Sequence, residues 1–149
     1  MTVRIEGVRD VERKLEALAK NYDRATADAA VAGAQLVRSE AIKRIQDQSG
    51  GQPGTRYRSG GGSYTHAASA PGDAPNTDTG RLVSSVQIEI TGSFVFVGST
   101  LDYAAHLEWG TTSMQARPWL HPSKEARRAD IERLFKQGVD RVSDRGGDL

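Results

Sequence analysis

The chain has 149 residues, and its 20 basic side chains are nearly balanced by 19 acidic ones, which gives a net charge of +1. A dedicated nucleic-acid binder needs a basic excess to contact phosphates, so this balance argues against that class. Only 37% of the residues are hydrophobic, which predicts one modest core. A core this thin favours a protein whose apolar surface is partly completed by neighbouring subunits.

Composition also limits the covalent chemistry and the compartment. The chain has no cysteine, which excludes disulfides, thiolate metal ligands and a cysteine nucleophile. Residues 1–6 carry no apolar signal-peptide core, and no stretch approaches the ~18 apolar residues of a membrane span. We therefore expect a protein that is made and used in the cytoplasm, without a membrane partner.

The N-terminal third is predicted to be mostly helical. Residues 2–6 alternate between polar and apolar side chains and predict a short strand. Over residues 8–46, apolar side chains recur at spacings of three and four and then give way to alanines, which indicates a long helix. Asn21 is a candidate cap for a break in this helix. Its alanine-rich face either packs on the protein's own sheet or also meets another subunit.

Residues 49–78 have a different composition, with seven glycines, three prolines and almost no aliphatic side chains. Such a segment buries too little apolar area to offset its own ordering entropy. The composition therefore predicts an extended Gly- and Pro-rich loop, which a partner surface would order.

The middle of the chain predicts a β-hairpin. Asp78 is the N-cap candidate of a short helical turn over residues 78–85. Residues 86–90 then alternate strictly between apolar and polar, residues 91–93 have turn chemistry, and residues 94–97 are apolar on both faces. This pattern is typical of two antiparallel strands, which need a helix and further strands to pack on.

The C-terminal part predicts two helices joined by an irregular arm. Residues 101–109 form the first helix, which ends at a glycine, and residues 111–120 form the arm. Pro122 opens the second helix, and residues 143–149 are predicted to be a flexible tail. The whole chain is thus expected to be a single α+β domain. Its long N-terminal helix packs on a small, mainly antiparallel sheet, and a C-terminal helix closes it.

The side chains that could support catalysis are few and scattered. The histidines are His66, His106 and His121, and each is expected to be structural or solvated. His106 and Glu108 are two residues apart in a predicted helix, so they point to different faces and cannot chelate one metal ion. No serine lies in a G-x-S-x-G motif, and the run of glycines at 60–62 lacks the lysine of a phosphate loop. We therefore expect no enzyme, with no catalytic, cofactor or metal site.

One group of candidate partner contacts lies in the Gly-rich segment. It contains Arg56, Tyr57, Arg58 and Tyr64. Arginine and tyrosine are common at protein interfaces. In a nucleic-acid site, arginine would neutralise phosphates while tyrosine stacked on bases. Both interpretations remain open for this group.

A second group lies on or beside the irregular arm: Trp109, Met114, Arg117, Trp119 and Leu120. The two tryptophans and the leucine either fill the protein's own core or anchor a neighbouring subunit. Arg117 is a candidate to pair with Glu108 or with a neighbour's carboxylate. We expect these residues to act in assembly rather than in catalysis.

Three segments combine short motifs in a fixed order. They are ASAPGDAP at 68–75 followed by DTGRL at 78–82; VGS at 97–99 with YA at 103–104 and LEWGT at 107–111; and ARPWL at 116–120 followed by Pro122. These motifs resemble those of the tail-component, or neck and tail-completion, proteins of long-tailed bacteriophages. That family is related to minor tail protein Z of lambda-like phages. The Gly-rich insert at 50–64 departs from the family pattern, and Trp109 and Trp119 stand where the family tends to have phenylalanine.

The resemblance implies a non-enzymatic virion protein at the head–tail junction, assembled in the host bacterial cytoplasm. Its copies would form a ring around the DNA channel, with six the expected number, and its partners would be neck, head-closure and tail proteins. A tail-terminator or head-closure ring is the alternative within the phage interpretation. A small DNA-binding protein is the alternative of another class, and its affinity for duplex DNA should fall steeply with salt.

Overall fold

The computed structural model describes residues 7–57 and 59–146. Its elements, in chain order, are the helix α1 Val8–Asp47, the strands β1 Gln52–Tyr57 and β2 Ser63–Ala68, the helix α2 Arg81–Ser85, the strands β3 Val86–Thr91 and β4 Phe94–Ser99, and the helices α3 Asp102–Trp109 and α4 His121–Gly146. This element order confirms the predicted α+β class. The strand predicted over residues 2–6 lies outside the described residues. None of the helices in the described ranges combines the length and the apolarity needed to cross a membrane.

Helix α1 runs without a break through Asn21, so the predicted interruption there is wrong. Asn21 lies exposed in the helix interior. The alanines and the lysine around it favour helix, and they outweigh the capping tendency of a single asparagine.

The chain divides into two compact units, of which the first contains the described residues 7–33 and 129–146. Here the first part of α1 runs antiparallel to the end of α4, and small residues let the two backbones approach closely. A side-chain carbon added at Gly138 would lie 3.2 Å from the Ala25 carbonyl oxygen, and one at Gly33 would lie 3.2 Å from Ile131. The alanine-rich face of α1 therefore packs, in this unit, on the C-terminal helix and not on a sheet.

The second unit, residues 34–128, contains a core drawn from α1, α2, α3, the β3–β4 hairpin and the segment before α4. Trp119 is 2% exposed and belongs to one buried cluster with Ile45 of α1, Leu82 of α2, Val86 of β3 and Ala104 of α3. Burying a tryptophan removes about 150–250 Å² of surface from water, so this side chain dominates a small core.

Within the described residues, the strands form two separate two-stranded sheets where the sequence predicted one. The predicted hairpin is present as β3 and β4, each about a residue or two longer than expected. Its register places Ile88 opposite Val97 on the half-buried face and Glu89 opposite Phe96 on the exposed face. This alternation follows from the period of two in a strand.

Strands β1 and β2 form an antiparallel hairpin inside the Gly-rich segment, from the pair Gln52–Ala68 to the pair Tyr57–Ser63. The prediction of an extended loop over residues 49–78 is therefore wrong for these two strands. Threonines and tyrosines within the strands favour extended backbone. The consecutive glycines at 60–62 lie in the turn between them, where the left-handed φ angles of Gly61 and Gly62 suit glycine.

Two helix ends differ from the predictions. Helix α2 starts at Arg81 with Gly80 in the cap position, at φ 75° and without a side-chain cap bond. The assignment of Asp78 as the N-cap is therefore wrong, and its carboxylate is used elsewhere. Helix α4 continues to Gly146, so residues 143–146 of the predicted flexible tail are helical. Residues 147–149 lie outside the described residues.

Candidate functional site

The β1–β2 hairpin forms an arm, residues 52–68, whose first strand is exposed along its whole length. The arm is fixed at its base, where the Asn76 side-chain amide donates to the carbonyl oxygens of Gly50, at 2.7 Å, and Ala67, at 2.6 Å. Gly51 has φ 131°, and a side-chain carbon there would lie 1.8 Å from the Ala68 carbonyl oxygen. Glycine is thus required for the base of the arm to close.

Asp78 ties the arm to the segment that precedes α2. The Tyr64 hydroxyl donates to Asp78 Oδ2 at 2.9 Å. The guanidinium Nε of Arg56 lies 3.9 Å from the same oxygen, and His66 Nδ1 lies 3.7 Å from Oδ1. Three side chains of the arm therefore converge on one carboxylate, which holds the arm against its own unit.

The four predicted contacts on the arm have different environments. Arg56 and Tyr64 contact Asp78 within the chain, although the Arg56 side chain is still 53% exposed. Tyr57 is 83% exposed at the end of β1. Arg58 lies outside the described residues. The geometry therefore leaves Tyr57 and part of Arg56 available to a partner.

A cavity of about 430 Å³ lies beside Asp78 and is called the arginine cavity here. Its charged lining is Arg56, Arg81 and Arg117 against the single carboxylate Asp78. Its apolar wall is formed by Leu82, Val83 and Leu107, with Thr79 also in the lining. Cavities of a few hundred Å³ with an apolar wall and a few convergent polar groups are typical of binding sites.

Arg117 reaches this cavity from the irregular segment before α4. Its Nε donates to the Ser69 carbonyl oxygen at 3.0 Å, and its backbone N–H donates to the Leu107 carbonyl oxygen at 2.7 Å. The predicted pairing of Arg117 with Glu108 is therefore wrong, because the Glu108 carboxylate binds other groups.

Glu108 is 7% exposed and receives three backbone N–H groups at the start of α4. Trp119 N and Leu120 N donate to its Oε2 at 2.8 and 2.9 Å, and His121 N donates to its Oε1 at 2.8 Å. A carboxylate placed there satisfies N–H groups that a helix start leaves unpaired, and it lies at the positive end of the helix dipole. Nothing in the sequence indicates this role, because a position in a predicted helix reveals neither the burial of its side chain nor its remote partners.

The candidate contacts around the irregular segment separate into buried and accessible residues. Trp119 fills the core, and its assignment to an interface is wrong because the indole is 2% exposed. Leu120 is half-buried against that core, and Met114, six residues earlier, is also half-buried. Trp109, by contrast, is 76% exposed at the end of α3. Of the two tryptophans, only Trp109 is placed to contact a neighbour.

The exposed side of the β3–β4 hairpin carries a further set of residues, which is called the aromatic face. Phe94 and Phe96 are 69% and 54% exposed, with ring centroids 6.2 Å apart. Glu89 is exposed and lies opposite Phe96 in the strand pairing. The sequence signal for this face was the β4 segment, which is apolar on both of its faces. Only one face of the β3–β4 sheet is half-buried, so the apolar side chains on the other face are exposed.

The three histidines are distant in sequence and have different surroundings. His66 faces Asp78, His106 is exposed on α3, and the backbone of His121 binds Glu108. The described ranges contain no group of three or more histidine and carboxylate side chains that could hold a metal ion.

Comparison with known proteins places the chain in a family. The model of the HK97-gp10-like proteins, described as a bacteriophage HK97-gp10 tail-component, matches residues 9–110, a range that contains both hairpins and α3. The relation to minor tail protein Z stays a prediction. No curated protein and no solved structure matches the chain. The chain therefore belongs to the HK97-gp10-like family of bacteriophage tail components.

Proposed function

We propose that the protein is a structural, non-enzymatic subunit of a ring at the head–tail junction of a long-tailed phage or phage-like particle. Six copies surround the DNA channel, and neck, head-closure and tail proteins are the neighbours above and below. The ring is assembled in the host bacterial cytoplasm. Family membership supports the tail-component part of this proposal, and the surface of the second unit supports the ring.

The observation that carries the proposal is the exposure of large aromatic side chains on three separate elements. Tyr57 on the arm is 83% exposed, Trp109 at the end of α3 is 76% exposed, and Phe94 on β4 is 69% exposed. Aromatic residues are enriched at protein interfaces. Because they lie on different elements, they suit a subunit that meets several neighbours.

A ring arrangement accounts for the presence of several different contact surfaces on one chain. In a closed ring, a patch on one side of each copy contacts a different patch on the next copy. The arm adds a projection with a fixed base, and exposed loops on rigid supports commonly carry binding functions. We assign the arm to contact with an adjacent neck or tail protein, where its arginines also come near the DNA without sequence specificity.

Electron cryomicroscopy of intact particles tests this assignment. We expect density for six copies of the chain at the junction between head and tail, with the arm against an adjoining ring. Density for the chain at the tail tip, or its absence from the particle, would contradict the proposal.

A second measurement tests how the ring forms. Purified protein at micromolar concentration should be monomeric or weakly associated, because a partner ring supplies the template for assembly. Size-exclusion chromatography with light scattering measures the mass directly. A stable ring of the purified protein would show that no template is needed.

A further inference from the structure

The arginine cavity has more positive charge than its own carboxylate can balance. The Asp78 carboxylate already contacts the side chains of Tyr64, Arg56 and His66. Arg81 and Arg117 also line the cavity, and among the described residues neither forms an ion pair. Arg117 is half-buried and Arg81 is exposed, and cations without a counter-charge attract an anionic group.

The apolar part of the cavity lining argues against a simple anion as the best occupant. Leu82, Val83 and Leu107 line the same cavity as the three arginines. A volume of about 430 Å³ exceeds what a lone carboxylate or phosphate would fill. The fitting occupant therefore combines a carboxylate with a bulky apolar group.

The aromatic face of the same chain has this combination. Glu89 lies directly across the strand pair from Phe96, and the Phe94 ring lies beside the Phe96 ring, with centroids 6.2 Å apart and the ring planes tilted by 31°. The described contacts of the Glu89 carboxylate comprise a 3.4 Å hydrogen bond from the Thr91 hydroxyl, which leaves most of its acceptor capacity free. Both phenylalanines are more than half exposed.

We propose that the aromatic face of one copy docks into the arginine cavity of the next copy. Glu89 pairs with Arg81 and Arg117, while Phe94 and Phe96 cover Leu82, Val83 and Leu107. Two different patches, one from each of two neighbouring copies, then contact each other. Such a heterologous contact can close into a ring. This inference rests on the proposed ring and names the surfaces that build it.

Disulfide trapping tests the contact, because the chain contains no cysteine of its own. The pair Gln87→Cys and Thr79→Cys places one thiol on the aromatic face and one at the rim of the cavity, and both positions are exposed. Because oxidation accumulates even the transient contacts of a weakly associated protein, the purified double variant should produce a ladder of crosslinked oligomers, up to the hexamer, that collapses with reductant. The matched control, Gln87→Cys with Gln137→Cys on exposed α4, should give no ladder.

Charge exchange in the same background tests the chemistry. Glu89→Arg and Arg81→Glu should each reduce the ladder several-fold, and combining them should restore it. Glu16→Arg, at an exposed position on α1, is the control substitution and should leave the ladder unchanged. A crosslinking yield no higher than that of the Gln137 pair, or a double charge exchange no better than the single ones, would overturn the proposal.

The outcomes separate this contact from the ring itself. Protein that enters particles at the head–tail junction but shows no ladder would refute the docking and leave the ring proposal standing. If Arg81→Glu instead lowers affinity for a labelled DNA duplex without changing the crosslinking, the cavity binds phosphate and the docking is likewise refuted.

Discussion

Trp119 and Trp109 have opposite surroundings, at 2% and 76% exposure. Truncating a buried tryptophan loses its transfer energy and leaves a cavity, so Trp119→Ala should lower the free energy of unfolding by about 3–5 kcal/mol. Trp109→Ala should change it by less than about 0.5 kcal/mol, because the indole contacts mainly solvent. Urea denaturation measures both variants. Equal losses would show that Trp109 also packs within the chain.

Glu108 gives a second prediction at this scale. Glu108→Ala leaves three backbone N–H groups at the start of α4 without their acceptor. We expect the free energy of unfolding to fall by about 2–4 kcal/mol, since unpaired buried donors keep their desolvation cost. Glu108→Gln retains one acceptor oxygen and should lose less.

The matched control for Glu108 is Glu125→Ala on α4. Glu125 is 42% exposed and pairs with Lys124 and Arg128 at the surface. Exposed ion pairs contribute about 0–1 kcal/mol, so this variant should remain close to the wild type. A loss at Glu125 equal to that at Glu108 would mean that carboxylate burial is not the cause.

The sequence identifies few of these individual roles. Glu108 is two residues from His106, and helical periodicity correctly separates the two side chains. Periodicity says nothing about N–H groups eleven to thirteen residues away, which depend on the path of the segment before α4. Asp78 was misassigned for the same reason, because its partners come from the arm.

At the scale of elements, the arm depends on one glycine. Gly51→Ala would place a carbon 1.8 Å from the Ala68 carbonyl oxygen at φ 131°, so the first strand pair must open. We expect a loss of about 2–3 kcal/mol in local stability, which is the scale of strain at a residue of this kind. Hydrogen exchange of the amides in β1 and β2 should accelerate, while exchange in β3 and β4 stays unchanged.

Gly60→Ala is the control for the arm. Gly60 lies in the turn, where an added carbon meets nothing within 4 Å, and its φ is not in the left-handed region. In the Gly60→Ala variant, the amides of β1 and β2 should exchange at the same rate as in the wild type. Faster exchange in both variants would indicate that the arm opens for reasons unrelated to its base.

The two hairpins differ in how far the sequence reveals them. In β3 and β4 the alternation of residues 86–90 and the turn at 91–93 are sufficient, because apolar side chains mark one face. In β1 and β2 no face is apolar, and the strands are held by Asn76, Asp78 and the glycine contact. Such remote bonds leave no local pattern, so composition predicted a loop.

At the scale of the whole molecule, positive and negative charges are nearly balanced, with a net charge of +1. In the arginine cavity, the arginines line the same space as the carboxylate of Asp78. A proposed ring subunit that surrounds DNA without recognising its sequence should bind the duplex only weakly. Affinity for duplex DNA therefore distinguishes the proposed ring subunit from a small DNA-binding protein.

Fluorescence anisotropy with a labelled duplex measures this difference. At physiological salt we expect binding no tighter than the non-specific range, a dissociation constant of about 10⁻⁴–10⁻⁶ M, with a shallow salt dependence because few phosphates are neutralised. The double variant Glu12→Arg with Glu16→Arg, both exposed on α1, makes the chain more basic and should bind more tightly. That variant establishes that the assay detects added charge. Nanomolar affinity of the wild type, falling steeply as salt is raised, would favour the DNA-binding alternative over the ring.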